Sequence, residues 1–591
     1  MKDFFKNVFA TVVGVFISML ALGGILVLLF VGLIGIFANK SSQQVVVNEN
    51  TILSINMSGV LKDRVIENPL FEYFQPSEST EIGLVDILSA IKQAKENNNI
   101  KGIYIRSGYF SASIASLNEI RDQLEDFKTT GKFVITYADD YIQGGYFLSS
   151  IADKVIMNPQ GSLDLHGLSV SRTFYKDMFE KIGVEMQVFK VGTYKSAVEP
   201  YLLDKMSDAN REQVSSFANN IWSSMLDKIA QSRKVSKEDL NKLADKLAIF
   251  QESNFIKESG LVDELLYEMD VKKLLADKLG LADVGDLNQM SIANMATLPA
   301  SSNNKTTDEI AVLYAEGSIV SGNSSSEINS RYLIKEIIKL QDDDDVKSVV
   351  LRVNSPGGSA YASEQIWRAL ANLKAKKPLV VSMGDYAASG GYYIACNASK
   401  IYAQPNTLTG SIGIFGLFPN IAGLTKKIGL TFDQVNTNTF SDFGDITRPM
   451  KEEEKAILQK YIERGYDLFL TRCAEGRNMS KEDLDKIAQG RVWTGTQAIS
   501  IGLVDALGGI DDAVKEAAAL ASVESYSVGE YPVKPNAFEA FFDTPKEELA
   551  TRALKSYLGA DFQLFKNIKD MKDLQKEDFI QARMPFDIQV K

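Results

Sequence analysis

Ser389 stands where an apolar run gives way to glycine. In MGDYAASGGYY, residues 383–393, it follows PLVVSM and precedes Gly390 and Gly391. A serine after a strand and at the start of a helix has its hydroxyl beside free backbone N–H groups, which favour developing negative charge. Gly390 lets a backbone N–H point at an oxyanion. Gly357 and Gly358 of NSPGGS (354–359), on another strand-to-helix turn, can supply the second donor, the geometry that acyl-transfer sites use. The same residues also read as a serine capping a helix beside packing glycines. The motif by itself leaves both readings open.

A nucleophilic serine needs a base. The chain has one histidine, His166 in LDLHGL, so a histidine triad is possible only through it. Lysine can serve instead, as in Ser-Lys sites. An ordinary lysine at pH 7 carries a handicap of about 4.6 kcal/mol against the neutral amine. Burial can lower a lysine pKa by about 3–5 units and remove most of that handicap. Lys195, in VGTYKSAVEPYLL, lies between apolar residues, although Glu199 nearby would oppose neutrality if the two touched.

The elements that must position these groups follow from an internal repeat. NNNIKGIYIRS (97–107) matches DDDVKSVVLRV (343–353), and VITYADDYIQGGYFLSSIADKVIMNP (134–159) matches VVSMGDYAASGGYYIACNASKIYAQP (380–405), both at an offset of 246 residues. SKEDLNKLAD and SKEDLDKIAQ follow at 244, and SGLVDELL and IGLVDALG at 242. Register held over such a length means two homologous lobes, residues 45–290 and 308–535. An exposed Ser/Asn/Thr/Pro-containing linker, 291–307, is expected between them. Short β-branched runs alternate with helical patterns, which predicts α/β lobes of βαβ type with parallel sheets. Ser236 and Ser480 read as matched helix N-caps. Residues 536–591 read as a helical tail outside the repeat, and the segment ending QARMPFDIQVK is expected to be structural.

Differences between two copies of one fold point to function. Gln143 stands opposite Ser389, Ser111 and Ala112 stand opposite Gly357 and Gly358, and Ser441 stands opposite Lys195. The second lobe holds the serine and the glycines, and the first holds the lysine.

Composition narrows the setting. A net charge of −12 argues against a nucleic-acid partner. Cys396 and Cys473 make neither a disulfide framework nor a zinc site and read as buried residues. From Val8 to Ala38 no residue is charged, which exceeds the apolar run of a cleavable signal peptide and is long enough to span a bilayer. Residues 1–40 are therefore expected to be a cytoplasmic tip and transmembrane signal anchor, with Lys2 and Lys6 ahead of the apolar run. A signal peptide cleaved near Gly23 is the alternative.

GTYKSAVEPYLLDKMS, LRVNSPGGSAYASE, MGDYAASGGYYIA, LTGSIGIFG and GRVWTGTQAISIGLVDALGG together resemble the long, two-lobe form of the bacterial signal peptide peptidase A family, also called protease IV. The resemblance implies a crotonase-like fold, related to the Clp protease fold, in each lobe. It implies a serine endopeptidase with Ser389 as nucleophile and Lys195 as general base, Ser411 orienting the lysine, and Gly357 or Gly358 with Gly390 as the oxyanion hole. It also implies a homotetramer on the bacterial inner membrane with its bulk outside the cytoplasm, acting on apolar signal-peptide-like substrates without cofactor or metal. Three other readings remain: an acyl-CoA enzyme of crotonase type, a non-catalytic membrane scaffold, and a membrane serine hydrolase of lipid or folded protein substrates.

Overall fold

The computed structural model describes residues 4, 6–7, 9–11, 13–25, 46–65, 81–296, 298, 306–321, 327–534 and 580–584. It comprises two compact units, Met1–Glu49 and Asn50–Lys591. In the first, the described residues from Phe4 to Ile25 are helical. No helix among the described residues is long and apolar enough to cross a membrane. Residues 26–40 of the expected anchor lie outside the described residues.

The second unit contains both repeats. In the first repeat, parallel strands run in the order Glu81–Gly83, Thr51–Lys62, Ile100–Ser111, Phe133–Ala138, Lys154–Met157 and Glu264–Leu265, and Gln289–Ser291 also pairs with Thr51–Lys62. The second repeat rebuilds the centre of that sheet with Glu309–Glu316, Val346–Ser355, Leu379–Ala388, Lys400–Ala403 and Ala506–Leu507. Ile103 pairs with Val134, while its counterpart Val349 pairs with Leu379, one residue short of Val380, so the copies repeat the strand pairing with the register shifted by one residue. Runs such as VVL (349–351) and PLVV (378–381) are continuously apolar because parallel strands are covered on both faces. Val349, Val350, Leu351, Val380 and Val381 are fully buried.

The helices repeat as well. Ile114–Lys128 is capped by Ser113 and Ala360–Lys374 by Ser359. The Ser236 hydroxyl accepts from the Asp239 N–H, and the Ser480 hydroxyl accepts from the Asp483 N–H. Two segments differ from the sequence-based expectation. Ser291 ends a strand and Ile292–Ala296 forms a helix with Met295 buried, so the first part of the expected linker belongs to the folded first repeat. The expected helical tail lies outside the described residues except at 580–584, where Ile580–Arg583 is a strand. Its pairing on both sides in a sheet overrides local preference.

The lobes meet through charge and through backbone. Arg352 of the second repeat, 1% exposed, donates to both oxygens of Asp63 at 3.2 and 3.0 Å and to Glu119 at 2.9 Å. Glu119 also accepts from the Ile510 N–H. Burial raises the Glu119 pKa, and the Arg352 guanidinium beside it opposes that rise. Arg106, the counterpart of Arg352 in the first repeat, is only part-buried, where it meets Glu268 and Asp139. The same position thus carries a different load in each copy. The second joint is a ladder: Glu185–Lys190 of the first repeat pairs antiparallel with Phe415–Asn420 of the second, from Lys190 opposite Phe415 to Glu185 opposite Asn420.

Candidate active site

The adjacent strands Leu379–Ala388 and Leu408–Gly410 end side by side, with Ala388 paired to Gly410. Ser389 and Ser411 are the next residue on each. Ligand sites of parallel α/β sheets form at such carboxyl ends. The Ser389 N–H donates to the Gly410 carbonyl at 2.7 Å, and its own carbonyl accepts from the Tyr393 N–H at 2.8 Å. These bonds hold Ser389 at φ 55°, ψ −113°, a conformation costing roughly 1–3 kcal/mol for a residue with a side chain. The result is a sharp turn into the helix Gly390–Ala395, with the side chain directed to one point.

Lys195 reaches that point from the other lobe. The ladder between Glu185–Lys190 and Phe415–Asn420 delivers the chain to Val191, whose N–H bonds the Ile414 carbonyl at 3.4 Å. The loop then docks on the second lobe, with the Tyr194 N–H on the Gln489 carbonyl at 2.9 Å. Gln213 stitches the two sides: its amide N–H donates to the Tyr194 carbonyl and the Ser196 hydroxyl, and its oxygen accepts from the Val492 N–H. Gly490, at φ 81°, admits the loop, because a Cβ there would lie 2.6 Å from the Lys195 nitrogen and 2.7 Å from its Cα.

Lys195 and Ser389 are both fully buried. The Lys195 Nζ stands 2.8 Å from the Ser389 Oγ, 3.1 Å from the Ser411 carbonyl and 3.2 Å from the Ser411 Oγ. These three oxygens are its hydrogen-bond partners among the described residues, and none is a carboxylate. Glu199 turns away and accepts from the Ser207 hydroxyl and the Asn210 amide at the start of the helix Asp208–Arg233. Burial with no compensating anion holds the Lys195 pKa well below its ordinary 10.5. An amine deprotonated by its surroundings can accept the Ser389 proton.

Gly357 and Gly390 face each other across this point. A Cβ on Gly357, at φ 97°, would lie 2.7 Å from the Gly390 nitrogen, and one on Gly390 would lie 3.1 Å from the Gly357 Cα. Gly358 is next in the same short strand, Gly357–Ser359. The structure therefore brings together Ser389, Lys195, Ser411, Gly357, Gly358 and Gly390. It leaves His166 elsewhere: the imidazole is 39% exposed and its partner is Asp164, at 2.6 Å. Cys396 and Cys473 are buried thiols away from these groups.

The counterpart site in the first lobe is filled. Gln143, fully buried, accepts from the His166 and Gly167 N–H groups and donates to the Gly167 carbonyl, all at 3.0 Å. An amide there satisfies backbone that a serine hydroxyl could not. Sequence reasoning missed the Gly413 carbonyl, which accepts from the Ser389 Oγ at 3.3 Å, and the loop at Gln489 and Gly490 that seats Lys195. A backbone acceptor carries no residue-type signal, and the seat depends on contacts across almost 300 residues of chain.

Comparison with known proteins gives matches along most of the chain. The profile of Peptidase family S49 matches residues 126–282 and 371–524, and that of Clp protease matches 301–409. Protease 4 of Haemophilus influenzae is 36% identical over 93% of this chain and 92% of its own. Protease 4 of Salmonella typhi is 37% identical over 83% and 78%, and the chloroplastic serine protease SPPA of Arabidopsis thaliana is 31% identical over 79% and 69%.

Proposed function

Because the chain belongs to peptidase family S49, as a serine peptidase of Clp-protease-like α/β fold with two family repeats, we propose that it is a Ser/Lys-dyad endopeptidase whose dyad is completed between the repeats. Ser389 is the nucleophile and Lys195 the general base. Ser411 orients the lysine with both its carbonyl and its hydroxyl. The backbone N–H groups of Gly390 and of Gly357 or Gly358 receive the oxyanion. The observation that carries this reading is the 2.8 Å contact between a buried, anion-free lysine amine and the serine hydroxyl.

The steps follow from those groups. Neutral Lys195 takes the Ser389 proton as Oγ attacks the peptide carbonyl. The lysine then returns the proton to the leaving amine, and water activated by the same amine hydrolyses the acyl-enzyme. The substrates proposed are cleaved signal peptides and similar short apolar peptides at the bacterial inner membrane. The uncharged run Val8–Ala38 supports anchoring there with the catalytic unit outside the cytoplasm.

We also read the protein as a homotetramer. The counterpart of the strand Glu185–Lys190, by the 246-residue offset, is segment 431–436, and every residue of it is exposed. The counterpart of Phe415–Asn420 is segment 169–174, which lies outside every strand. A second copy can supply the missing ladder.

The decisive experiment is turnover of a fluorogenic apolar peptide by the full chain in detergent. Ser389→Ala and Lys195→Ala should each lose at least about 10³-fold in kcat. Retention of wild-type turnover by either variant overturns the dyad. Recovery of the full chain in the soluble fraction after lysis overturns the anchor.

A further inference from the structure

One turn of the second lobe, residues 489–491, holds both Lys195 and Ser411. On one flank it takes the lysine loop: the Tyr194 N–H bonds the Gln489 carbonyl at 2.9 Å and the Thr193 N–H bonds the Gln489 side-chain oxygen at 3.3 Å. On the other flank the Gly490 N–H donates to the Ile412 carbonyl at 2.8 Å, and the Arg491 carbonyl accepts from the Ser411 N–H at 2.6 Å. Arg491 also covers the Tyr194 ring, 4.7 Å from its centroid. Gln489 stands at φ 54°, uncommon for a residue with a side chain, so the turn needs a hold of its own.

A closed ring of hydrogen bonds supplies that hold. The Tyr466 hydroxyl, on the helix Glu452–Arg477, accepts from the Gln489 backbone N–H at 3.1 Å and donates to the Asp485 carboxylate. Asp485, on the helix Lys481–Ile487, accepts from the Gln489 side-chain amide on both oxygens at 2.8 Å. Burial and the Asp485 carboxylate push the Tyr466 phenol up, so it stays protonated and donates. The first lobe has the matching helices without the ring. At the 244-residue offset its counterparts are Trp222, Asn241 and Asp245. The Trp222 indole N–H donates to Asn241 at 3.0 Å, and an indole N–H cannot accept from the backbone of residue 245. Asp245 is exposed. All three positions differ between the copies, as those of the dyad do, and Ser441 stands where the first-lobe turn would have a lysine to seat.

We infer that Tyr466, Asp485 and Gln489 are positioning residues: their ring locks the turn 489–491, and the turn keeps the Lys195 amine enclosed against Ser389. This rests on the reading of Ser389 as nucleophile and Lys195 as base. The hydrogen-bond partners of the amine belong to Ser389 and Ser411, so the three residues act on it through backbone. A turn released from the ring lets the lysine loop lift and water reach the amine, and hydration favours the ammonium form. Charged groups on the surrounding elements have partners of their own. Glu199 accepts from Ser207 and Asn210, Arg491 pairs with Glu212 at 3.0 Å, and the Lys190 Nζ lies 3.5 Å from the Lys195 carbonyl. All of these side chains remain when the ring is opened by substitution, so a changed titration of the lysine is traced to the ring.

The test is the pH profile of kcat/KM for a fluorogenic apolar peptide, measured on the full chain in detergent. Tyr466→Phe removes the shared hydroxyl, Asp485→Asn puts an amide donor against the Gln489 amide at nearly constant volume, and Trp222→Phe makes the matching change in the first lobe. In both ring variants the midpoint of the rising limb should move up by about one pH unit. Turnover at pH 7 should then fall about tenfold and return to near the wild-type plateau at higher pH. Trp222→Phe should keep the wild-type midpoint. The midpoint does not depend on how much of a sample is folded, and a melting curve identifies a variant that does not fold, in which case the other ring variant decides. A folded ring variant with the wild-type midpoint, whatever its kcat, overturns the inference. So does one inactive at every pH, since hydration of the amine is undone by deprotonation, and so does an equal shift in Trp222→Phe. Lys195→Ala that keeps wild-type turnover overturns the dyad itself, and this inference with it.

Discussion

At the scale of single residues, the chemistry turns on the cost of burying one amine. Lys195 is fully enclosed, with hydroxyl and carbonyl oxygens in reach and no carboxylate among its hydrogen-bond partners. Its pKa is lowered because burial strips the ammonium form of hydration that three neutral oxygens replace only in part. Only the neutral amine can act as base, so kcat/KM should rise with pH, about tenfold per unit, and level off well below pH 10.5. A profile still rising at pH 10 would contradict a lowered pKa. Lys195→Arg keeps charge and length but cannot deprotonate, and is expected to be inactive throughout. The same shift affects stability. Between the lowered pKa and 10.5 the unfolded chain binds a proton at this lysine that the folded chain does not, so folding stability rises with pH across that window. Lys195→Met removes the titration. It should unfold at a higher temperature than the wild type at neutral pH, by about 1 kcal/mol of added stability, while losing activity. A melting curve showing no gain would mean that the hydrogen bonds to Ser389 and Ser411 outweigh the burial cost.

At the scale of elements, the site depends on how two loops from different repeats are seated. Gly490 gives the cleanest test, since it touches Lys195 through backbone alone. Gly490→Ala places a methyl within 2.7 Å of Lys195 backbone atoms and also strains a left-handed position at φ 81°. The lysine loop must move, and a shift of about 1 Å in a catalytic group costs on the order of 10²-fold in rate. We expect kcat of Gly490→Ala to fall by about that factor, with KM and the circular dichroism spectrum close to wild type. A drop in KM affinity of equal size would instead indicate a distorted groove. These elements also show what the sequence made legible. The repeat, the strand pattern and the matched caps at Ser236 and Ser480 could be read because they depend on local periodicity and on comparison of one half with the other. Lys195 and Ser389 stood out for the same reason, as residues present once where the copies otherwise align. The strand Ile580–Arg583 could not be read, because four residues of mixed character become a strand only when both neighbours in the ladder are already in place. The fold of Ile292–Ala296 was hidden otherwise: its residues, IANMA, suit a helix but run into a Ser/Asn/Thr/Pro-containing stretch that masks them, and burial of Met295 against the first repeat decides it.

At the scale of the whole molecule, the repeat makes an unfinished pattern. Inside one chain the first lobe gives Glu185–Lys190 to the edge Phe415–Asn420 of the second. The second lobe has the equivalent segment, 431–436, and leaves it exposed, with Phe432 at 52% and Val435 at 97%. Ile428, Leu430, Phe440, Phe443 and Ile446 extend the apolar surface on either side. Soluble surfaces seldom carry such a run unless a partner covers it. The first lobe has the equivalent segment at 169–174, outside every strand. If the joint within the chain is repeated between chains, the second lobe of each copy pairs with the first lobe of the next, a head-to-tail contact that closes into a ring once the rotation per copy sums to a full turn. Four copies would place eight lobes around one axis, each joined to the next by the same kind of ladder. Light scattering of the full chain in detergent should then report the mass of four protein chains. Val435→Glu with Phe432→Asp should give single chains, because charges placed in that ladder lose hydration on pairing. Lys195 and Ser389 meet within one chain, so on the proposed reading the dissociated variant should keep wild-type turnover of a short peptide. A variant that remains tetrameric would remove the segment from the interface, and a wild type that runs as a single chain would leave the apolar surface without the partner assigned to it.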